Sequence, residues 1–213
     1  MVTDNLHGGD SLFSMPPDRR ELLYQQYLDL PEYKRGEIIN GTLYIMSRPS
    51  PPHANATSIL GGELNGAFQR GRGGPGGWWI IDEPEIHFFP KEPLSPDIAG
   101  WRVERMPALP STAHFELAPD WVCEVLSKST ERIDRHEKLP IYARHGIKHA
   151  WLVDPIAKLL EVYALNDQQT WQTVEIFEGD RTVRVAPFDA IELELSSLWS
   201  SPTDTAPRPA SPR

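Results

Sequence analysis

The chain has 213 residues, 39% of them hydrophobic, and a net charge of −9 at pH 7, which argues against a protein that coats nucleic acid by bulk attraction. No apolar run approaches the roughly 20 residues of a membrane-spanning helix, and the N-terminal sequence lacks the basic and apolar regions of a signal peptide, so we expect a cytoplasmic protein with no membrane partner. The one cysteine, Cys123, excludes an intramolecular disulfide and a multi-cysteine zinc site.

Composition separates two tails from a central region. Residues 1–15 are expected to be disordered, as is the segment 200–213, in which Pro, Ser and Thr predominate. The intervening residues 16–199 show no internal repeat and no convincing linker, and their number suits one hydrophobic core. We therefore predict a single domain over 16–199.

The first predicted elements are a helix and a hairpin. Apolar residues recur at roughly helical spacing over 17–30, and Asp18 is suited to cap the start of that helix. Short apolar stretches at 37–39 and 43–45 then flank Asn40-Gly41, a strong sequence signal for a tight β-hairpin turn.

Helices and strands mix along the rest of the chain. An apolar stripe predicts a helix over 53–69, the glycine-rich run 71–77 predicts a loop, and a second long helix is predicted over 130–145. The other predicted strands cover 78–81, 85–89, 97–103, 120–126, 149–154, 159–165, 170–177 and 181–185. This order predicts an α/β (mixed α+β) fold, with a mixed sheet flanked by helices and an antiparallel C-terminal meander formed by the last three strands.

Glu124 is unusual because it lies within 120–126, a stretch that reads as a strand buried on both faces. Side chains alternate along a strand, so Glu124 shares one face with Leu126. Burying an unpaired carboxylate costs several kcal/mol, so Glu124 must be protonated, paired or bound to a cation. The sequence leaves open a metal-free ion pair with Lys138 or Arg132 and a metal site.

Three acids lie on strands that are otherwise apolar, namely Glu37, Asp97 and Glu124. Mg²⁺ and Mn²⁺ prefer carboxylate oxygens and water, so acids that converge from neighbouring strands would form a suitable site. Pro96 restricts the chain just before Asp97 and can fix the direction of that carboxylate. An ion held there can lower the pKa of a water and offset charge on a phosphoryl oxygen.

The order of motifs resembles one known family. These motifs are GEIING with LYIM, His53 at a helix start, SPDIA, PDWVCEVLSKST, a helix with Asp134, Lys138 and Tyr142, and HAWLVDP. Together they are similar to the Uma family of restriction-endonuclease-like proteins in the PD-(D/E)XK superfamily, over roughly residues 20–198. The resemblance implies a mixed sheet flanked by helices and hydrolysis of DNA phosphodiester bonds that depends on Mg²⁺ or Mn²⁺.

The resemblance also implies roles for individual residues. Asp97 and Glu124 match the two acids of the superfamily motif, and Glu37 matches an additional acid, so these three would hold the metal. Leu126 stands where the superfamily places a lysine, and Lys138 on the next helix is the candidate to replace it, with Lys128 as second choice. The implied catalytic residues are therefore Asp97, Glu124 and Lys138.

Basic side chains near these acids are candidates for binding substrate. His53 would contact a phosphate at the start of its helix, where backbone N–H groups favour anions. Lys128, Arg132 and Arg135 belong to a segment with a basic excess, which fits a nucleic-acid-facing surface and fits an ordinary mixed-charge helix equally well.

Two classes of function follow from the sequence. The leading hypothesis is a metal-dependent endonuclease with DNA as its substrate. The alternative is a catalytically silent nuclease fold that binds nucleic acid or another protein, which Leu126 at the usual lysine position favours. A homodimer is the expectation from the frequency of two-fold oligomers.

Overall fold

A computed structural model describes residues 16–46 and 48–199, so both predicted disordered tails lie outside the described residues. The helices are α1 (Pro17–Leu28), α2 (Pro51–Leu64), α3 (Glu131–Ile133) and α4 (Leu139–Arg144), with π-helical turns at Asn65–Gln69 and Asp134–Lys138 and a 3₁₀ turn at Leu195–Leu198. The first strands are β1 (Arg35–Ile39), β2 (Thr42–Met46), β3 (Trp78–Asp82), β4 (Ile86–Phe89), β5 (Glu92–Leu94) and β6 (Ile98–Arg102). The later strands are β7 (Trp121–Val125), β8 (His149–Asp154), β9 (Leu159–Leu165), β10 (Trp171–Glu178), β11 (Thr182–Val183) and β12 (Leu193–Glu194).

A six-stranded mixed sheet forms the centre of the molecule, with strand order β10-β9-β8-β7-β6-β3. β7 and β8 are parallel, and the helical segment 131–144 makes the crossover between them, as a parallel pair requires. The other neighbouring strands of this sheet are antiparallel. The predicted fold class, a mixed sheet with flanking helices, is thus confirmed.

The two faces of the sheet pack against different helices. On one face, Trp121 and Cys123 belong to a buried cluster that includes Leu60 of α2. On the other face, Val122 and Tyr142 of α4 belong to a second cluster. This is the alternation expected of a strand covered on both sides, and it leaves the Glu124 carboxylate on the α4 side.

The hairpin forms at the predicted turn but does not join the large sheet. Asn40 and Gly41 have φ values of 48° and 72°, the left-handed conformation that a tight hairpin turn needs and that these two residues tolerate best. The hairpin β1–β2 packs beside β5, and its inward-facing residue Glu37 is 3% exposed. It therefore delivers a carboxylate to the edge of the central sheet.

Two sequence predictions about local structure were wrong. Asp18 does not cap α1, because consecutive prolines start the helix with Pro16 at the cap position and Pro17 as the first helical residue. The stretch 181–185 does not extend the meander; β11 pairs with β12 instead. Its apolar side chains, Val183 and Val185, cover the face of the sheet on the α2 side, so they cannot lie at its edge.

None of the helices in the described part of the chain has the length and apolarity that crossing a bilayer requires.

Candidate active site

A cavity of about 880 Å³ opens beside the C-terminal end of β7. The sheet and the crossover helix bring the predicted acids and lysine to this place, although they are far apart in sequence. The ionisable side chains that line the cavity include Glu37, His53, Asp97, Glu124, Asp134 and Lys138. Every residue predicted to bind metal or to act in catalysis is therefore in the wall of one cavity.

The π turn after α3 sets the direction of the crossover helix. The Leu139 N–H donates to the Asp134 carbonyl, five residues earlier, in place of the usual four. Pro140 explains the wider turn, because it has no N–H and its ring would clash with the carbonyl of residue 136 in a regular α-helix. The segment presents Asp134, Lys138 and Tyr142, at spacings of four residues, toward β7.

The Lys138 ammonium lies among three buried carboxylates. Its Nζ is 3.2 Å from Glu37 Oε1, 3.3 Å from both oxygens of Glu124 and 3.5 Å from Asp134 Oδ1. It also donates to the Ser95 carbonyl at 3.3 Å. Lys138 and Glu124 are each 2% exposed, so water does not screen these charges strongly.

Neighbouring groups fix two of these carboxylates. The Tyr142 hydroxyl donates a hydrogen bond to Glu124, and the Ser95 N–H donates to Glu37 Oε1 at 3.1 Å. The other oxygen, Oε2 of Glu37, is buried without a hydrogen-bond partner among the described residues. A buried carboxylate oxygen in this state is available to a ligand with positive charge.

Asp97 lies at the open side of the cluster, directly before β6. Its Oδ2 accepts a hydrogen bond of 2.6 Å from the Val125 N–H and lies 3.2 Å from His53 Nε2. The β6–β7 pairing therefore places Asp97 next to the strand that carries Glu124. His53, in the first turn of α2, connects the acidic cluster to the cavity surface.

Burial and mutual repulsion weaken the acids. Burial raises the pKa of Glu124 well above its usual value, against the attraction of Lys138, and it also raises the pKa values of Glu37 and Asp134. Burial alone would lower the pKa of Lys138, but the attraction of the surrounding carboxylates outweighs it, so this pKa lies well above the usual value. Lys138 is therefore protonated at neutral pH.

Asp97 favours the protonated form of His53. Burial works to lower the pKa of His53, but its hydrogen bond and attraction to Asp97 prevail, and the pKa is raised. The site thus has a protonatable group at its outer edge, as well as the ammonium at its base.

The other predicted substrate-binding residues are spread over different environments. Lys128 is exposed on the cavity wall. Arg132 is exposed, 3.9 Å from Glu137, and does not line the cavity. Arg135 points away from the cavity and makes a bidentate pair with Glu161 on β9.

Sequence reasoning did not assign site roles to Asp134 or Tyr142, although both stood in the helix motif that carried the family resemblance. Asp134 is 2% exposed and Tyr142 is fully buried, and both contact the predicted acids or lysine. The signal was the spacing of four residues that links these two to Lys138, which puts all three on one helix face.

The predicted metal ligands Glu37, Asp97 and Glu124 offer only oxygen atoms, and these oxygens do not all lie within 4.8 Å of one another. Within the described residues, the three ligand-type side chains whose donor atoms lie within 4.8 Å of one another are Glu85, His87 and His114. In the predicted site, the ammonium of Lys138 stands between Glu37 and Glu124 and takes the place of a shared cation.

Comparisons with known proteins agree with this architecture. A crystal structure of a putative nuclease belonging to DUF820 from Anabaena variabilis ATCC 29413 superimposes with a TM-score of 0.66 at 24% sequence identity, covering 83% of this chain and 97% of that one. The likeness shows a shared fold. No curated protein sequence matches the chain. The Uma2 family, described as "Putative restriction endonuclease", matches residues 24–196, which confirms the predicted family. The chain belongs to the Uma2 family.

Proposed function

We propose that this protein is an endonuclease that hydrolyses DNA phosphodiester bonds with the help of Mg²⁺ or Mn²⁺. The observation that carries the proposal is the group of buried carboxylates, Glu37, Glu124 and Asp134, that share the Lys138 ammonium at the base of an open cavity. With Asp97 at the open side, the acids exceed the cations around them. Such a charge surplus favours a divalent cation.

The donor atoms suit a hard metal ion. Glu37, Asp97 and Glu124 supply carboxylate oxygens, the ligands that Mg²⁺ and Mn²⁺ prefer. Oε2 of Glu37 is buried without a partner within the described residues, so one donor is already desolvated and free. These three side chains are the ones that would hold the ion.

When bound, the ion would supply positive charge to a phosphoryl oxygen and lower the pKa of a water. The chain's own groups orient and complement this chemistry. The Val125 N–H and His53 hold Asp97, and the Tyr142 hydroxyl holds Glu124. Lys138, protonated and directed by the acids, would stabilise negative charge that develops on the phosphate in the transition state.

The cavity also offers groups for the rest of a nucleic acid. Lys34, Arg48 and Lys128 are exposed on its lining, a local basic set on a chain whose net charge is −9. His53, with its raised pKa, adds a hydrogen-bond donor beside Asp97. Positive side chains in the lining of the same cavity would bind the phosphates on either side of the cleaved bond.

The test is cleavage of supercoiled plasmid DNA by the full chain. With Mg²⁺ or Mn²⁺ we expect nicked and linear products, and with EDTA we expect none. Asp97→Asn should abolish cleavage, whereas the matched control Asp167→Asn, in an exposed turn outside the cavity, should cleave like the wild type. Equal cleavage by the wild type and Asp97→Asn would refute the proposal, because the nuclease would then be a contaminant.

Three parallel measurements separate the related possibilities. Cleavage of single-stranded RNA without cleavage of DNA would mean that RNA, rather than DNA, is the substrate. Salt-sensitive DNA binding without cleavage at any metal concentration would favour the silent nucleic-acid-binding module instead. Light scattering of the chain in solution tests the predicted homodimer.

A further inference from the structure

A second polar cluster, which shares Glu85 with the lining of the cavity, lies where two short segments of alternating sequence meet. One segment reads Glu85-Ile86-His87 and the other His114-Phe115-Glu116. Ile86 forms a parallel bridge with Phe115. The His87 N–H donates to the Phe115 carbonyl at 2.8 Å, and the Phe115 N–H donates to the Glu85 carbonyl at 2.9 Å.

This bridge places four ligand-type side chains on one face. Because side chains alternate, the apolar Ile86 and Phe115 face the core while the histidines and glutamates face outward together. His87 Nε2 is 2.7 Å from Glu85 Oε1, and the two imidazole rings stack with their centroids 3.9 Å apart. The donor atoms of Glu85, His87 and His114 all lie within 4.8 Å of one another.

A further contact directs the glutamate from outside the cluster. The Tyr27 hydroxyl of α1 donates to the second oxygen of Glu85 at 2.7 Å. Residues that hold a metal-binding carboxylate in this way commonly surround metal sites and raise their affinity. Glu116 lies 3.7 Å from the other histidine, His114, and adds negative charge beside the cluster.

We infer that Glu85, His87 and His114 form a binding site for a divalent transition-metal ion of the zinc class, separate from the carboxylate site. Two imidazoles and one carboxylate are a ligand set for Zn²⁺, which leaves a fourth position to water, whereas Mg²⁺ prefers oxygen ligands alone. The ion would fasten the segment around His114 to β4 and, through Tyr27, to α1. The site would therefore stabilise one wall of the cavity rather than take part in hydrolysis.

Binding requires one modest rearrangement. The imidazole planes are 8° from parallel, so one ring must turn before the in-plane lone pairs of both can point to one ion. His87 is on a strand and its side chain is 10% exposed, whereas the His114 side chain is 28% exposed and lies in an irregular segment. His114 is thus the ring with room to turn.

Titration of the metal-free full chain with ZnCl₂ tests the site, in millimolar Mg²⁺ so that the carboxylate site is occupied by its own ion. We expect one equivalent of Zn²⁺ to bind, and Co²⁺ to give the visible absorption of a four-coordinate ion in its place. His87→Ala and His114→Ala should each weaken Zn²⁺ binding by at least about tenfold, and Tyr27→Phe by about tenfold. His136→Ala, which replaces an exposed histidine, is the matched control and should leave the Zn²⁺ affinity unchanged.

A second readout separates metal binding from damage to the fold. Zn²⁺ should raise the thermal unfolding midpoint of the wild type and of His136→Ala, but not that of His87→Ala. For each protein, the midpoint with Zn²⁺ is compared with its own midpoint in EDTA. Asp97→Asn should keep full Zn²⁺ affinity, which makes this result independent of any nuclease activity. Equal Zn²⁺ affinity in His87→Ala and His136→Ala would overturn the inference, as would Zn²⁺ binding that Asp97→Asn abolishes.

Discussion

Glu124 and Glu161 lie on the same face of the central sheet and have opposite surroundings. Both are in register with Leu152 of β8, one from β7 and one from β9, so the three side chains form a row. Glu161 accepts two hydrogen bonds from Arg135 and one from a tyrosine hydroxyl. Glu124 instead shares the ammonium of Lys138 with two further acids.

The pKa shifts of the two acids follow from this difference. The hydrogen bond from Arg135 lowers the pKa of Glu161, whereas burial raises the pKa of Glu124. An acid matched by its own cation stabilises the fold and has no remaining affinity for another ion. A group of acids that outnumbers its cations is costly to fold and attracts an ion. Arg135 and Lys138 both come from one short helical segment. The two environments therefore differ in the number of carboxylates that share each cation.

Lys138→Met should have the largest effect, since it leaves the carboxylates of Glu37, Glu124 and Asp134 without their shared cation. We expect the free energy of unfolding to fall by about 3 kcal/mol at pH 8 in EDTA, and cleavage to fall by at least about 100-fold. Added Mg²⁺ should restore part of the stability, because the ion can replace the missing charge. Urea denaturation with and without Mg²⁺ measures the stability, and plasmid cleavage measures the activity. Lys148→Met, at an exposed lysine that does not line the cavity, is the control, and an equal loss in both variants would contradict the prediction.

Glu161→Gln should lower stability without changing activity. The variant breaks a largely buried pair and leaves Arg135 with the more exposed Glu131 as its carboxylate partner, at a cost of about 2 kcal/mol after allowing for the partial exposure of the arginine. Because Arg135 does not line the cavity, plasmid cleavage should stay at the wild-type rate. A loss of cleavage with unchanged stability would instead mean that the Arg135–Glu161 pair serves the substrate.

Glu37→Gln should have the opposite effect on stability. Burial raises the pKa of Glu37, so its ionised form is unfavourable in the folded, metal-free chain. The amide oxygen can still accept from Lys138 and Ser95, and we expect a gain of about 1 kcal/mol in EDTA at pH 8 together with a loss of cleavage. A loss of stability like that of Glu161→Gln would contradict this prediction, because it would mean that Glu37, like Glu161, stabilises the fold through its ion pair.

The smallest expected effect concerns Glu92, a buried acid 3.6 Å from Arg20. Its surroundings are intermediate between those of Glu161 and those of Glu124. Burial raises its pKa from 4.5 to about 7, despite the attraction of Arg20. A carboxyl whose folded pKa is raised contributes stability below the unfolded pKa and loses it as the pH rises through the folded pKa. Relative to Glu92→Gln, the wild type should therefore lose about 1 kcal/mol between pH 6 and pH 8. Urea midpoints at both pH values measure this, and a constant difference would contradict it.

Sequence patterns with a local cause predicted their structures correctly. The Asn40-Gly41 turn and the alternation around Glu124 depend on backbone conformation and side-chain period, which neighbouring residues determine. The convergence of Glu37, Asp97 and Lys138 was reached through the family resemblance, because periodicity alone does not say which strands become neighbours.

The remaining features depend on contacts between distant parts of the chain. Arg135 was predicted to bind substrate, but its partner Glu161 is 26 residues away on β9, and no local pattern announces that pairing. The stretch 181–185 alternates like a meander strand, yet the need to cover the face beside Trp121 takes it out of the sheet. The π turn could be anticipated only as an irregularity near Pro140.

That π turn makes the segment between Asp134 and Lys138 intolerant of an inserted residue. The turn already contains one residue more than a turn of regular α-helix, in which each residue advances the helix by about 100°, so a further residue there would rotate every later side chain by about that angle. Tyr142 would leave Glu124, and Leu139 would leave the core beneath β7. Surface loops of this protein can accept insertions, but this helical turn cannot.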